Sequence, residues 1–293
     1  MNKPTILVTG KNGQLGQELQ LLAASMPAYN FIFTDRTVVD ITNLESVNDF
    51  FHQHHVDVCI NAAAYTAVDK AESSREEAMQ ANATAVKNLA INCSEHQSLF
   101  IHVSTDYVFD GTAQVPYTED YPTNPVNYYG QTKLEGEALA LRHHPTTIIL
   151  RTSWVYSRMG NNFVKTMLRL TAEKPTINVV NDQFGSPTYA ADLAEVILSI
   201  VRQLHETQKN YGGVYHFSNE GIISWFDFAV EINKMAGHHC EVLPIPSSGF
   251  PTPARRPTYS AMDKQKVSTT FDVQLKDWKQ SLHTCLQQIK ANP

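Results

Sequence analysis

The apolar run Thr5–Thr9 is followed at once by Gly10, Gly13 and Gly16, which open a stretch with Leu15, Leu19 and Leu22 at helical spacing. A β-rich run, a glycine turn and a helix, in that order, predict the first βα unit of an open parallel α/β sheet. In such a unit the first glycine permits the tight turn, the second lets a pyrophosphate approach the backbone, and the third lets helix and strand pack closely. The phosphates would sit on the helix amino terminus, where free N–H groups and the helix dipole favour anions. Asn12, Gln14 and Leu15 fall within or beside this turn and belong to the expected lining. The spacing is G-x-x-G-x-x-G rather than the commoner G-x-G-x-x-G, so context must carry the reading.

That context is present. A second run, Phe31–Phe33, ends at Thr34-Asp35, about where the ribose-binding acid of a dinucleotide site should fall. Asp35 would accept the ribose hydroxyls that NADH offers, whereas Arg36 could pair with the extra phosphate of NADPH, and with both present the cofactor stays open between the two. Val56–Ile60 leads into Asn61 and then Ala62, Ala63, Ala64, Tyr65 and Thr66, while Leu99–Val103 leads into Ser104, Thr105 and Asp106. Near-continuous apolar runs of this length read as buried parallel strands. Ligands of such sheets bind beyond the carboxyl ends of the strands, so four strand ends converge on one cleft. Asp40, Ile41 and Val103 complete the expected cofactor-binding set.

Tyr129 and Lys133 stand four residues apart in NYYGQTKLEGE, and Ser104-Thr105 lies 24 to 25 residues upstream. Residues i and i+4 share a helix face, so a phenol and an ammonium would point into the same space. A free tyrosine ionises near pH ~10, and a nearby cation favours its anion. The pair therefore predicts a proton-transfer group usable at neutral pH, with a strand-end hydroxyl beside it. Tyr128, five residues from Lys133, sits on a poorly matched face and is assigned to substrate contact or packing.

The rest of the chain limits the alternatives. With 293 residues and 42% hydrophobic content it can bury one large core, or one large and one smaller. A net charge of −6 offers no broad basic field for nucleic acid. No apolar run reaches eighteen residues and the start reads as a strand, so no membrane span or secretion signal is expected and the protein is placed in the cytoplasm. Cys59, Cys93, Cys240 and Cys285 are scattered and expected to be free buried thiols, and His52, His54 and His55 lack a metal-ligand pattern, so no metal site is expected.

Past Leu150 the alternation changes, with a helix near Phe163–Leu170, a strand at Thr176–Val180, a helix over Ala190–Leu204, a strand at Val214–Ser218, an amphipathic helix in ISWFDFAVEINKMAG and a proline-rich stretch holding Arg255 and Arg256. The fold class expected is a Rossmann-type doubly wound parallel α/β sheet. An NAD(P)-binding domain would span 1–155 plus about 180–212, with a smaller, partly interleaved substrate domain over about 156–179 and 213–293.

The segments GKNGQLG, NAAAYTAVDKAES, STDYVFDG, NYYGQTKLEGE, RTSWVYS, GNNFVKTML, NDQFGSPTYAADLA and PTPARRPTYS together resemble, from end to end, the extended short-chain dehydrogenase/reductases that act on nucleotide sugars. The resemblance implies Tyr129 as proton donor to the sugar, Lys133 as the residue that holds the nicotinamide ribose and lowers the tyrosine's pKa, and Thr105 as third member of the triad, with Ser104 a nearby second donor. It implies substrate contacts from Thr105, Asp106, Trp154 and Asn162. Arg255 and Arg256 would take the diphosphate, because guanidinium matches phosphate oxygens as a two-pronged fork.

The reaction implied is NADPH- or NADH-dependent reduction of the 4-keto group of dTDP-4-dehydro-L-rhamnose. A dehydratase would carry a second acid after Asp106, where this chain has Tyr107. Another nucleotide-sugar reductase or epimerase shares the tyrosine and lysine, and a non-catalytic dinucleotide-binding subunit, like the methionine adenosyltransferase β subunit, would not need an intact triad. Some members dimerise through a metal held by carboxyl-terminal acids. Here no acid follows Asp277, which leaves a bridging Mg2+ without those ligands and a homodimer open.

Overall fold

Six parallel strands form the central sheet, in the order Gly213–His216, Ile148–Thr152, Leu99–Thr105, Val58–Asn61, Thr5–Thr9, Asn30–Thr34. The structure is a computed structural model that describes residues 3–207 and 209–291. Residues 1, 2, 208, 292 and 293, which fall within the expected domain ranges, lie outside the described residues. Strand alternation explains why the runs are apolar throughout. Ile6, Val8, Ile60, Ile101, Ile148 and Leu150 face one core, with Leu19 and the Ala190–Thr207 helix packed on them. Leu7, Cys59 and Phe100 face the other, under residues of the helices Leu44–Gln53, Ala85–Glu95 and Tyr128–His143. A sheet covered on both faces has no polar side to encode.

The chain runs from Thr5–Thr9 outward to Asn30–Thr34, then returns across to Val58–Asn61 on the opposite flank. The direction of winding reverses there, so the connections leave the carboxyl ends of neighbouring strands in opposite directions, which is where such sheets usually hold a ligand. Element ends differ from the sequence expectation by a few residues. The catalytic-helix candidate starts at Tyr128, where the Asn127 side chain caps it by accepting from Gly130 N at 2.8 Å.

A second core gathers Tyr156, Val164, Met167, Ile177, Phe228, Ile232, Leu282 and Cys285. It joins the helices Phe163–Glu173, Trp225–Ala236 and Trp278–Ala291 to a two-stranded parallel sheet of Thr176–Val180 and Glu241–Ile245. One segment departs from the expected division: Gly213–His216, assigned from sequence to the smaller domain, pairs with Ile148–Arg151 as the edge of the main sheet. Val267 and Phe271 likewise pack in the main core. The four-residue strand carries too short a pattern to reveal its partner. All four cysteines are buried and free. Among the described residues no helix is long and apolar enough to cross a membrane.

Candidate active site

Gly10 has φ +75°, and a Cβ there would stand 2.7 Å from Ala63 N. The turn after the first strand therefore lies directly against the backbone that leaves the third. A Cβ on Gly16 would run into the Gly10 carbonyl, so the helix start closes onto the turn. Beside these backbones a cavity of about 230 Å³ brings together Gly10, Asn12, Gly13, Asp35, Arg36, Asp40, Ile41, Ala63 and Ala64. Thr9, Thr34, Val39, Thr42 and Ala81 also line it, and sequence reading had not singled these out. Backbone N–H groups at a helix start, a cradle that admits no Cβ and a carboxylate at the second strand end fit a dinucleotide.

Asp35 is held in place by four donors: the Thr37 hydroxyl at 2.6 Å, Thr37 N at 3.0 Å, Lys11 Nζ at 2.9 Å and Asn12 Nδ2 at 3.1 Å. The Thr37 hydroxyl first, then Lys11, keep its carboxyl well below the usual range. Lys11 was also missed from sequence, where its only signal is a basic side chain inside the glycine turn. Arg36 is largely exposed and reaches Asp40 at 3.4 Å. Asp40 is lowered as well, chiefly by the Thr42 hydroxyl. Tyr65 is pinned through its backbone by Asn82, which accepts from Tyr65 N at 2.8 Å and donates to Tyr65 O at 3.0 Å. Ala62 packs against the core, Leu15 is buried in it, and Thr66 is exposed.

At the end of the Leu99–Thr105 strand, Thr105 Oγ1 donates to Asp106 Oδ1 at 3.0 Å and accepts from Tyr107 N at 3.2 Å. Tyr129 is buried beside it. Burial pushes the phenol up to about 12, the Thr105 hydroxyl pulls it down and the Asp106 carboxylate adds to the rise. Burial also pushes Asp106 up to about 6, against the hydroxyls of Ser260 and Thr105. The Tyr107 ring stands edge-on to that of Tyr129, centroids 5.7 Å apart. Ser104 Oγ is buried without a partner.

Lys133 is buried too, and its Nζ donates to the Val103 carbonyl at 2.7 Å while lying 3.4 Å from His102 Nε2. Burial pushes it down to about 8, with Glu137 opposing. Glu137 itself is locked to Arg151, whose Nη2 is 2.6 Å away. Lys133 was expected to lower the phenol. In the structure its ammonium is turned to the strand and makes no hydrogen bond to Tyr129. Tyr128 faces elsewhere, with its ring under the Arg75 guanidinium at 4.8 Å and its N donating to Glu72.

Trp154 has φ +48° and stacks on Trp225 with centroids 3.6 Å apart and planes 10° from parallel, so the wall it offers is a rigid pair. The two arginines are placed differently. Arg255 is exposed, and its carbonyl accepts from Asn127 Nδ2 at 2.8 Å, which ties the segment to the cap of the Tyr129 helix. Arg256 is engaged by Asp69 through two bonds and also donates to Thr252 and Ala254 O. Asn162 caps the Phe163–Glu173 helix, accepting from Lys165 N at 3.1 Å, and donates to Ser157 O and to Gln14 Oε1. Gln14 and Asn162 thus meet each other, bridging the first helix and the second core.

The profile of the family described as RmlD substrate binding domain matches residues 4–291. The dTDP-4-dehydrorhamnose reductase of Aggregatibacter actinomycetemcomitans is 41% identical over 283 residues, covering 94% of this chain and 96% of that protein. A crystal structure of a dTDP-4-dehydrorhamnose reductase from Clostridium acetobutylicum superposes with a TM-score of 0.92 at 41% identity, covering 98% of this chain and 99% of that one. The enzyme of the same name from Bacillus anthracis, solved in complex with NADP, gives a TM-score of 0.92 at 37% identity, covering 98% of this chain and 100% of that one.

Proposed function

This chain belongs to the RmlD substrate binding domain family, and from that premise we infer that it is an NAD(P)H-dependent oxidoreductase that reduces the 4-keto group of dTDP-4-dehydro-L-rhamnose, giving dTDP-L-rhamnose. The observation that carries this reading is the contact of Tyr129 with the Thr105–Asp106 pair at the carboxyl edge of the same sheet whose glycine turn fits a dinucleotide.

The reduced nicotinamide, when bound, supplies the hydride. The protein's own part is orientation and the proton. Tyr129, pushed up to about 12, keeps its proton at neutral pH and can deliver it to the sugar oxygen as negative charge grows there. Thr105 gives its hydrogen to Asp106, so it has none left for the sugar oxygen in this arrangement, and the Tyr129 hydroxyl is the donor that remains for it. Lys133, as an ammonium below about 8, would hold the ribose hydroxyls and add positive charge beside the phenol. Trp154 with Trp225 would form the wall of the sugar site. Arg255 is the guanidinium available to the diphosphate, and Arg256, held by Asp69, would shape the segment that presents it. Lys11 and Arg36 on either side of Asp35 supply the charge for a 2′-phosphate, which favours NADPH, while Asp35 accepts ribose hydroxyls and leaves NADH usable.

The test follows loss of nicotinamide absorbance with NADPH and with NADH on dTDP-4-dehydrorhamnose made in place by the upstream dehydratase and epimerase. GDP- and UDP-linked ketosugars serve as controls. Turnover of a control with none of the dTDP sugar would overturn the substrate, and a tightly retained, non-exchanging dinucleotide would point to an epimerase instead.

A further inference from the structure

His102 lies in the middle of the Leu99–Thr105 strand, fully buried in an otherwise apolar run, and no step above uses it. Each of its ring nitrogens faces another nitrogen, Asn61 Nδ2 at Nδ1 and Lys133 Nζ at Nε2. Asn61 fixes which ring nitrogen carries the proton. Ala63 N donates to Asn61 Oδ1 at 3.2 Å, and the Thr9 hydroxyl donates to the same oxygen at 2.7 Å. A backbone N–H can only donate, so the amide oxygen stays on that side and Asn61 Nδ2 faces His102 Nδ1 at 3.1 Å. An amide nitrogen is itself a donor, which requires a bare Nδ1. The neutral ring then carries its hydrogen on Nε2, and that hydrogen points at Lys133 Nζ 3.4 Å away.

A protonated Lys133 would meet this N–H donor to donor, whereas the free amine would accept it. We propose that His102, held by Asn61 as the Nε2–H tautomer, is a positioning residue that presents an N–H to Lys133, weakening the hold of that amine on its proton and so setting the alkaline limit of the reaction. The inference rests on the reductase reading above. Burial and the Lys133 charge both push His102 well below its ordinary range, which keeps the ring neutral.

The other groups around Lys133 are few. Glu137, one turn along the same helix, favours the ammonium, but its carboxylate is shared with Arg151. The strand adds only His102 and the Val103 carbonyl. Asp106 and Tyr129 act on each other at the strand end. Val68–Ala71, Arg75–Met79, Gln80–Thr84 and Ala85–Glu95 also pack on the same helix, and their charged side chains, Asp69, Lys70, Arg75, Glu76, Glu77, Lys87 and Glu95, form no ion pair with Lys133 among the described residues. Among the described residues, His102 is thus the ring whose nitrogen faces Lys133 Nζ, at 3.4 Å.

Two measurements decide the matter. Nitrogen-15 NMR of the histidine rings in the wild-type protein should find His102 with a bare Nδ1 and a protonated Nε2 through neutral pH. A protonated Nδ1 would overturn the proposal, and because no turnover is needed, this result stands apart from failure of the assigned reaction. The second is the pH profile of kcat/KM for His102→Gln, whose carboxamide can turn its oxygen to Nζ. Its alkaline limb should move up by about one pH unit with the acid limb in place. An alkaline limb that stays where it is in the wild type would refute the role.

Discussion

Asp69 and Arg256 form a two-pronged ion pair, Nη1 to Oδ1 at 3.0 Å and Nη2 to Oδ2 at 2.8 Å, across 187 residues of sequence. It clips the proline-rich segment near the carboxyl end onto the short helix Val68–Ala71 beyond the third strand. Its neighbour Arg255 is left pointing to solvent.

The two arginines should therefore separate by experiment. Arg256→Ala should lower stability by about 1 kcal/mol, a modest figure because both side chains are partly solvated. Arg255→Ala should leave the melting temperature in place and raise the substrate KM about tenfold, the loss of one charge-assisted contact. Thermal melts paired with steady-state kinetics check both, and equal behaviour of the two variants would contradict the division of roles.

Tyr129→Phe keeps the ring and its packing against Tyr107 but removes the proton. Turnover should fall by about 10²–10⁴-fold with cofactor affinity little changed. Near-normal kcat in that variant would remove the phenol from the mechanism.

Asp106 carries a folded-state pKa of about 6, above its ordinary 3.8, because it is buried. The folded chain thus holds this proton more tightly than the unfolded chain, so the group's contribution favours the fold below about pH 4 and is lost as pH rises through about 6. Asp106→Asn, uncharged throughout, should gain on the order of 2 kcal/mol over the wild type at pH 8 and little at pH 3.5, while impairing turnover. Denaturant titrations at the two pH values measure the difference, and a gain of the same size at both would rule out the buried charge as its source.

Lys11→Ala removes the cation that faces Asp35 at 2.9 Å and leaves that carboxylate without its ion-pair partner next to the proposed adenosine site. KM for NADPH should rise about tenfold and KM for NADH by about twofold at most, since only the former brings a 2′-phosphate. Parallel shifts for both cofactors would sink the assignment of Lys11 to that phosphate.

Much of the site could be read directly from residue order. Gly10, Gly13 and Gly16 after an apolar run, Asp35 after the next run, and Thr105 after the fourth each announce a strand end by local pattern alone. Tyr129 and Lys133 announce a shared helix face by spacing. What local pattern could not carry was orientation and long-range pairing. Lys133 was expected to share a helix face with the phenol, but spacing gave no sign that its Nζ would reach the Val103 carbonyl. His102 read as one more member of a buried strand. Gly213–His216 gave no sign that it would extend the main sheet.

The order of residues by itself determined that this is a parallel sheet with a glycine-rich first turn and a tyrosine–lysine helix, because backbone propensity, hydrophobic period and glycine sterics act over a few neighbours. Only the tertiary structure decided which charges are neutralised: Asp35 by Lys11, Arg256 by Asp69, Glu137 by Arg151, with Lys133 set against His102. Those pairings depend on distance and on exclusion of water. Neither exists until strands far apart in sequence are brought side by side.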